Sequence, residues 1–203
     1  MPGSQSGAAP GREIAITARY IRRLLLIPLV VLVAAVALAR GAAAETLHGR
    51  VVRVADGDTV TVLVAGRVQH TIRLAGIDAP EKAQPYGERA KRLLSDLVFG
   101  AEVAVEYGKR DRYGRIVGKV VRDGQDASLS LIEAGYAWHF KRYAAEQSKT
   151  DRATYARAEE AARRAKRGLW SEPTSQPPWE WRAQRRSNQG STRGSASVAR
   201  EAG

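Results

Sequence analysis

The chain has 203 residues, no cysteine, a formal charge of +12 and a pI near 10.4. That length allows one ordinary domain with extensions at its ends, and the missing cysteines exclude disulfides, zinc–thiolate centres and thiol nucleophiles. Residues 45–171 hold 23 Lys and Arg against 17 Asp and Glu, a basic balance that favours a polyanionic partner, nucleic acid first among them. Charge alone leaves a solubility surface or an anionic membrane open.

Residues 1–18 are rich in Gly, Ser, Ala and Pro and show no periodicity, the composition of a disordered segment. From Leu24 to Ala39 runs an uncharged apolar stretch, preceded by Arg19, Arg22 and Arg23 and followed by Arg40 and small residues up to Ala44. This is the order of a secretory signal, and the stretch is shorter than the ~20 residues of a spanning helix. Cleavage is expected after Ala44, with Ala39 the next choice; an uncleaved anchor is the alternative. Either way residues 1–44 are an address that sends the rest out of the cytoplasm, secreted or periplasmic, or held at a membrane through the anchor. Export through a twin-arginine route has only the pair Arg22 and Arg23 to support it.

Strands are predicted over Leu47–Ala55, Thr59–Ala65 and Val68–Leu74, alternating or β-branched runs of which the last two share a short turn at Gly66. The period then changes. Ala90, Leu93, Leu94, Leu97 and Val98 fall on one helical face, with Gly100 at the expected C-terminal stop. Two more strands, Glu102–Tyr107 and Ile116–Arg122, flank a charged connection in which Lys109, Arg110 and Arg112 form a basic loop. A short helix capped by Asp126 or Ser128 ends at Gly135, and a long one runs from Thr150 to Arg167. The class is α+β, compatible with a five-stranded OB-type barrel with three helices around it, spanning residues 45–171. Residues 172–186 form a Pro- and Trp-rich extension expected to pack on that domain, because disordered tails seldom contain two Trp in three residues. Residues 187–203 read as a disordered tail.

Two acidic knots interrupt the strands, Asp56-Gly57-Asp58 and Asp78-Ala79-Pro80-Glu81. Each alone is an ordinary turn sequence. Together they matter because Asp58 opens one strand and Asp78 is read as closing the strand two along, so a curled sheet can bring both to one mouth of the barrel. Paired carboxylates repel unless neutralised, and a hard divalent cation is the natural neutraliser. Arg73 lies five residues before Asp78 and is read as sharing its strand, and Arg115 lies in the Asp111-Arg112-Tyr113-Gly114-Arg115 loop. Arginines converging there would clamp a phosphodiester, leaving Glu81 to orient or deprotonate a water. His48, His70 and His139 lack metal-ligand spacing and are read as structural or surface residues. Trp138 and Phe140 are read as core or barrel rim.

The stretches "VADGDTVTV", "IRLAGIDAPE" and "DRYGR", in this order with a helix between the second and third, resemble the thermonuclease family, the staphylococcal nuclease-like domains. The likeness runs from about Leu47 to Trp170, and "PPWEWR" is similar to an extension of bacterial members. The resemblance implies an OB-fold barrel and calcium-dependent hydrolysis of DNA and RNA, breaking the 5′ P–O bond to leave 3′-phosphate ends. It implies Asp58 and Asp78 as Ca2+ ligands, with Ala79 contributing a backbone carbonyl where the family's type member has Thr. Glu81 becomes the general base or water-orienting group, and Arg73 and Arg115 the phosphate-binding groups that stabilise the transition state. Tyr113 would contact the nucleotide phosphate, Tyr143 is the nearest candidate for base stacking, and Asp56 has a supporting or turn-forming role. The expected partner is nucleic acid, single-stranded for preference, and the expected state is a monomer. The rival readings are a non-catalytic OB-type nucleic-acid-binding module and a tethered surface protein that binds anionic envelope polymers.

Overall fold

The computed structural model describes residues 45–188. The predicted signal and most of the predicted tail lie outside these residues. Among the described residues no helix is long and apolar enough to cross a membrane.

The barrel begins with β1 (Glu45–Asp56), a strand long enough to serve two neighbours. Its first half pairs antiparallel with β5 (Glu102–Arg110) and its second half with β2 (Thr59–Val64). Register shifts between Val51 and Arg53 and between Val54 and Asp56 let the strand bend between the two tasks. β2 pairs with β3 (Val68–Leu74), and β5 pairs with β6 (Ile116–Arg122). Closure comes from a parallel pairing of β3 with β6, Ile72 opposite Ile116 and Leu74 opposite Gly118. The result is a closed, mixed, five-stranded barrel, as the strand pattern predicts, with a short edge strand β7 (Gln125–Asp126) added beside β6. Strand alternation fills it: Val51, Val60, Val62, Ile72, Leu74, Val105, Ile116 and Val120 are fully buried.

Helix α1 (Gly87–Val98) covers one opening with Ala90, Leu94 and Val98, while Leu93 and Leu97 are only partly buried. Helix α2 (Ala127–Glu133) is capped by the Asp126 carboxylate, which accepts from the Ser128 and Leu129 amides, and contributes Leu131 and Ile132 to the core. Helix α3 (Lys149–Arg164) packs Tyr155, Ala158 and Ala162 inward; the Tyr155 hydroxyl donates to Asp126 at 2.5 Å. Asp126 thus joins two helices.

Three features depart from the sequence expectation. The strand β5 runs through Lys109 and Arg110, so these are not loop residues; Lys109 is ion-paired with Glu146 and Arg110 donates to the Gly114 carbonyl. Two-residue strands β4 (Ile77–Asp78) and β8 (Trp138–His139) pair with each other outside the barrel. The Pro-rich extension becomes a fourth helix, α4, over 178–188. Pro178 occupies its first position, where a missing N–H and a fixed φ suit a helix start.

The Asp56-Gly57-Asp58 knot is held against the core by its glycine. A Cβ on Gly57 would stand 2.7 Å from the Ala90 Cβ and 2.8 Å from the Ala79 Cβ. Gly57→Ala is therefore expected to destabilise the protein by about 1–3 kcal/mol through overpacking, while Gly108→Ala, which meets open space, loses nothing. Urea unfolding of the two variants checks this, and equal stabilities would refute it.

Candidate active site

Asp58 stands at the turn into β2, Arg73 near the end of β3 and Asp78 on β4, so Arg73 and Asp78 do not share a strand as the sequence suggested; a turn through Gly76, at φ 75°, separates them. The register of β2 against β3 places Thr59 opposite Arg73, and the Leu74 amide donates to the Asp58 carbonyl at 2.8 Å. The guanidinium of Arg73 is therefore delivered between the two acids. One of its nitrogens pairs with Asp58 Oδ2, and the other donates to Asp78 Oδ1 at 2.8 Å. Asp58 also accepts from the Ala79 amide at 2.9 Å and the Thr59 hydroxyl at 3.0 Å. Asp78 is fully buried, and β4 is fixed in place by its pairing with Trp138 and His139 on β8.

Glu81 follows on a turn closed by the Gln84 side chain. The Glu81 amide donates to Gln84 Oε1 at 3.2 Å, the Gln84 amide donates to the Glu81 carbonyl at 2.8 Å, and Gln84 Nε2 donates to the Gln176 carbonyl at 2.5 Å. The first residue of α1 abuts the same turn: a Cβ on Gly87 would lie 2.0 Å from the Glu81 carbonyl oxygen. The Glu81 carboxylate itself is 39% exposed.

Sequence reasoning missed one member of the cluster. Arg182, on α4, grips Asp78 with both terminal nitrogens, at 2.7 Å to Oδ2 and 3.3 Å to Oδ1, and its Nη1 also donates to Glu81 at 2.7 Å. The route by which it arrives is aromatic. Trp138, opposite Asp78 in the β4–β8 pair, packs edge-on against Trp179 at 6.3 Å, and Phe140 lies 5.4 Å from the same ring. Arg182 is about one helical turn beyond Trp179. The legible hint was an arginine three residues after a tryptophan in a segment expected to dock.

The other predicted residues lie apart from this cluster. Arg115 donates to Asp111 at 2.7 Å, within its own loop, and stacks under Tyr113 at 5.4 Å. It does not touch Asp58, Asp78 or Glu81, although Val117, two residues on, is the register partner of Arg73. Tyr113 is exposed, as is Tyr143, whose ring packs on Phe140 and lies 5.2 Å from the Lys109 ammonium. Ala79 is buried, with its amide committed to Asp58. His139 is buried and hydrogen-bonds to Gln147.

The electrostatics follow from crowding. Burial and the charge of Asp58 push the Asp56 carboxyl up to about 6. Burial opposes ionisation of Asp58, but the charge of Arg73 and the Ala79 amide outweigh it and hold this carboxyl below the usual range. Burial raises Asp78 against the pull of Arg182 and Arg73. Among the described residues Asp58, Asp78 and Glu81 pair with two guanidiniums, and Asp56 stands beside Asp58 with no ion pair of its own, an excess of acid that suits a hard divalent cation with oxygen donors. Among the described residues no three acidic or histidine side chains form a ready-made cage, so a backbone carbonyl and water must complete any such shell.

The class of protein defined here is an α+β domain built on a closed OB-type barrel, with two arginine-bridged aspartates and a glutamate clustered beside it. Residues 71–172 match the family model described as staphylococcal nuclease homologue, and the chain belongs to that family. It is similar to a protein named "Uncharacterized endonuclease" from Escherichia coli, 45% identical over 137 residues, covering 67% of this chain and 85% of the relative. A protein named "Micrococcal nuclease" from Shigella flexneri is 42% identical over 144 residues, covering 66% and 80%. A third, named "Uncharacterized endonuclease", from Haemophilus influenzae, is 37% identical over 139 residues, covering 68% and 75%.

Removing Arg182 leaves a buried carboxylate without its bidentate partner. Because Arg182 is itself about one-third exposed, solvent replaces part of what is lost, and Arg182→Ala in chelator is expected to lower stability by about 1–3 kcal/mol. Arg164→Ala, which breaks an exposed pair with Glu160, is expected to change it by about 0.5 kcal/mol or less. Denaturant unfolding of both variants checks the contrast, and equal small losses would refute it.

Proposed function

We propose that this protein is a calcium-dependent, sugar-non-specific nuclease that hydrolyses DNA and RNA at the 5′ P–O bond and leaves 3′-phosphate ends. The observation that carries the reading is the buried Asp58–Arg73–Asp78 bridge with Glu81 beside it. Asp58, Asp78 and the Ala79 carbonyl would hold the Ca2+, which when bound supplies Lewis-acid polarisation of a phosphoryl oxygen. Glu81 accepts the proton of the water that attacks phosphorus, and the 5′ oxygen departs and is protonated. Arg73 offers its guanidinium to the non-bridging oxygens as charge builds on them. Arg115 does the same by exchanging its bond to Asp111 for one to phosphate, and Tyr113, exposed above it, contacts the bound nucleotide phosphate. Tyr143 offers a base-stacking face.

The basic surface and the accessible aromatic rings support single-stranded nucleic acid as the preferred substrate, and a monomer is taken as the working state. The domain acts outside the cytoplasm, directed there by residues 1–44. Such an enzyme would be secreted or periplasmic, or held at a membrane by an uncleaved anchor.

Release of acid-soluble nucleotides from single-stranded DNA, with calcium and with a chelator, tests the reading directly. Calcium-dependent release is expected; binding without release in both conditions would identify a non-catalytic module. Glu81→Gln is expected to reduce turnover by at least ~10²-fold with the fold intact, and near-normal turnover would remove Glu81 from the reaction. Asp58→Ala is expected to shift the calcium titration of activity to higher concentration, and an unshifted titration would exclude Asp58 as a ligand.

A further inference from the structure

Beside the acid cluster, the Glu81–Ala83 turn and α4 enclose an open cleft of about 330 Å³, lined by Glu81, Lys82, Trp181, Arg182, Arg185 and Arg186. Glu81 and Arg182 are shared with the cluster, so the cleft is continuous with the candidate site. The charge in it is unbalanced. Arg182 is committed to Asp78 and Glu81, while Arg185 and Arg186 are exposed and have no acidic partner among the described residues. Lys82 has only a 3.9 Å approach to Glu88, with both side chains mostly in solvent. Three cations therefore face an open groove that has one aromatic wall, Trp181.

We propose that this cleft binds the phosphodiester backbone of the strand being cleaved, at phosphates next to the scissile one. The cleft holds several point charges along a helix edge and no enclosed apolar pocket, which fits a repeating polyanion better than a small ligand. Trp181 gives a sugar or base a flat surface while the arginines hold the phosphates. Because Glu81 and Arg182 line the cleft and also belong to the acid cluster, a strand lying in the cleft reaches that cluster. The placement next to a cleaved bond rests on the nuclease reading, whereas binding in the cleft does not.

Equilibrium binding of a fluorescent single-stranded DNA oligomer in chelator tests the cleft without catalysis. Arg185→Gln with Arg186→Gln is expected to weaken binding about tenfold at moderate salt. The slope of log affinity against log salt should fall by about 1.4, since each phosphate contact on a single strand contributes about 0.7. Lys82→Gln, on the turn before α1 rather than on α4, should lower the slope by about half as much, which guards against a fold defect confined to α4. A dinucleotide carries one phosphodiester and no second phosphate for the cleft, so its affinity should fall far less than the oligomer's. Unchanged oligomer affinity and slope would overturn the proposal, as would an equal loss for the dinucleotide. A loss confined to anionic phospholipid vesicles would overturn it in favour of a membrane surface. If the parent protein binds the oligomer through the cleft yet never cleaves it, the nuclease reading fails and the cleft stands.

Discussion

The guanidinium of Arg73, shared between Asp58 and Asp78, is the contact on which the rest of this molecule's chemistry depends. One acid comes from the turn before β2 and the other from β4, and they could not be buried side by side as two uncompensated charges, because repulsion and desolvation would make one take up a proton or drive the two apart. Arg73 removes that conflict with a planar fork that meets both carboxylates at once. The barrel is what makes the fork available. β3 is held on one edge by β2 and on the other by β6, so the backbone that carries Arg73 has little freedom.

Around this contact the structure is layered. The apolar barrel sets the positions of the strand ends, and the glycine of the first acidic knot and the Gln84-closed turn set the positions of the acids. Only the last layer, α4, comes from outside the barrel and its helices. Its arginine completes the neutralisation of Asp78 and binds Glu81 in the same grip. The cluster therefore has a fixed inner half and an outer half that depends on how a C-terminal helix is seated.

The same layering explains what the sequence made legible. Period-two alternation marked β2, β3 and β6 closely, and the helical face of α1 was visible in Ala90, Leu94 and Val98. Asp58, Arg73, Asp78 and Glu81 could be grouped because they lie within one short stretch of chain. Arg182 could not, because it stands 104 residues from Asp78 and is brought to it by the packing of Trp179 on Trp138 and Phe140. The β4–β8 pair that aligns these rings has two residues on each side, too few to show any periodicity. Arg115 illustrates the opposite failure. Its place in the loop was evident, but its bond to Asp111, four residues before it, is a local competition that no count of charges reveals.

All four tryptophans of the chain, Trp138, Trp170, Trp179 and Trp181, lie outside the barrel strands. Trp138 touches Trp170 at 5.4 Å and Trp179 at 6.3 Å, so three of the four rings form one cluster at the seam between β8 and the C-terminal segment. Indole emission from this protein is consequently weighted toward the seam where α4 is seated, with the buried Trp138 also reporting β8 beneath it. Backbone circular dichroism is weighted toward the other half, the strands and the earlier helices, to which α4 adds one short helix. A gap between the two signals on heating would show the outer half of the acid cluster coming loose while the fold that supports its inner half is still intact.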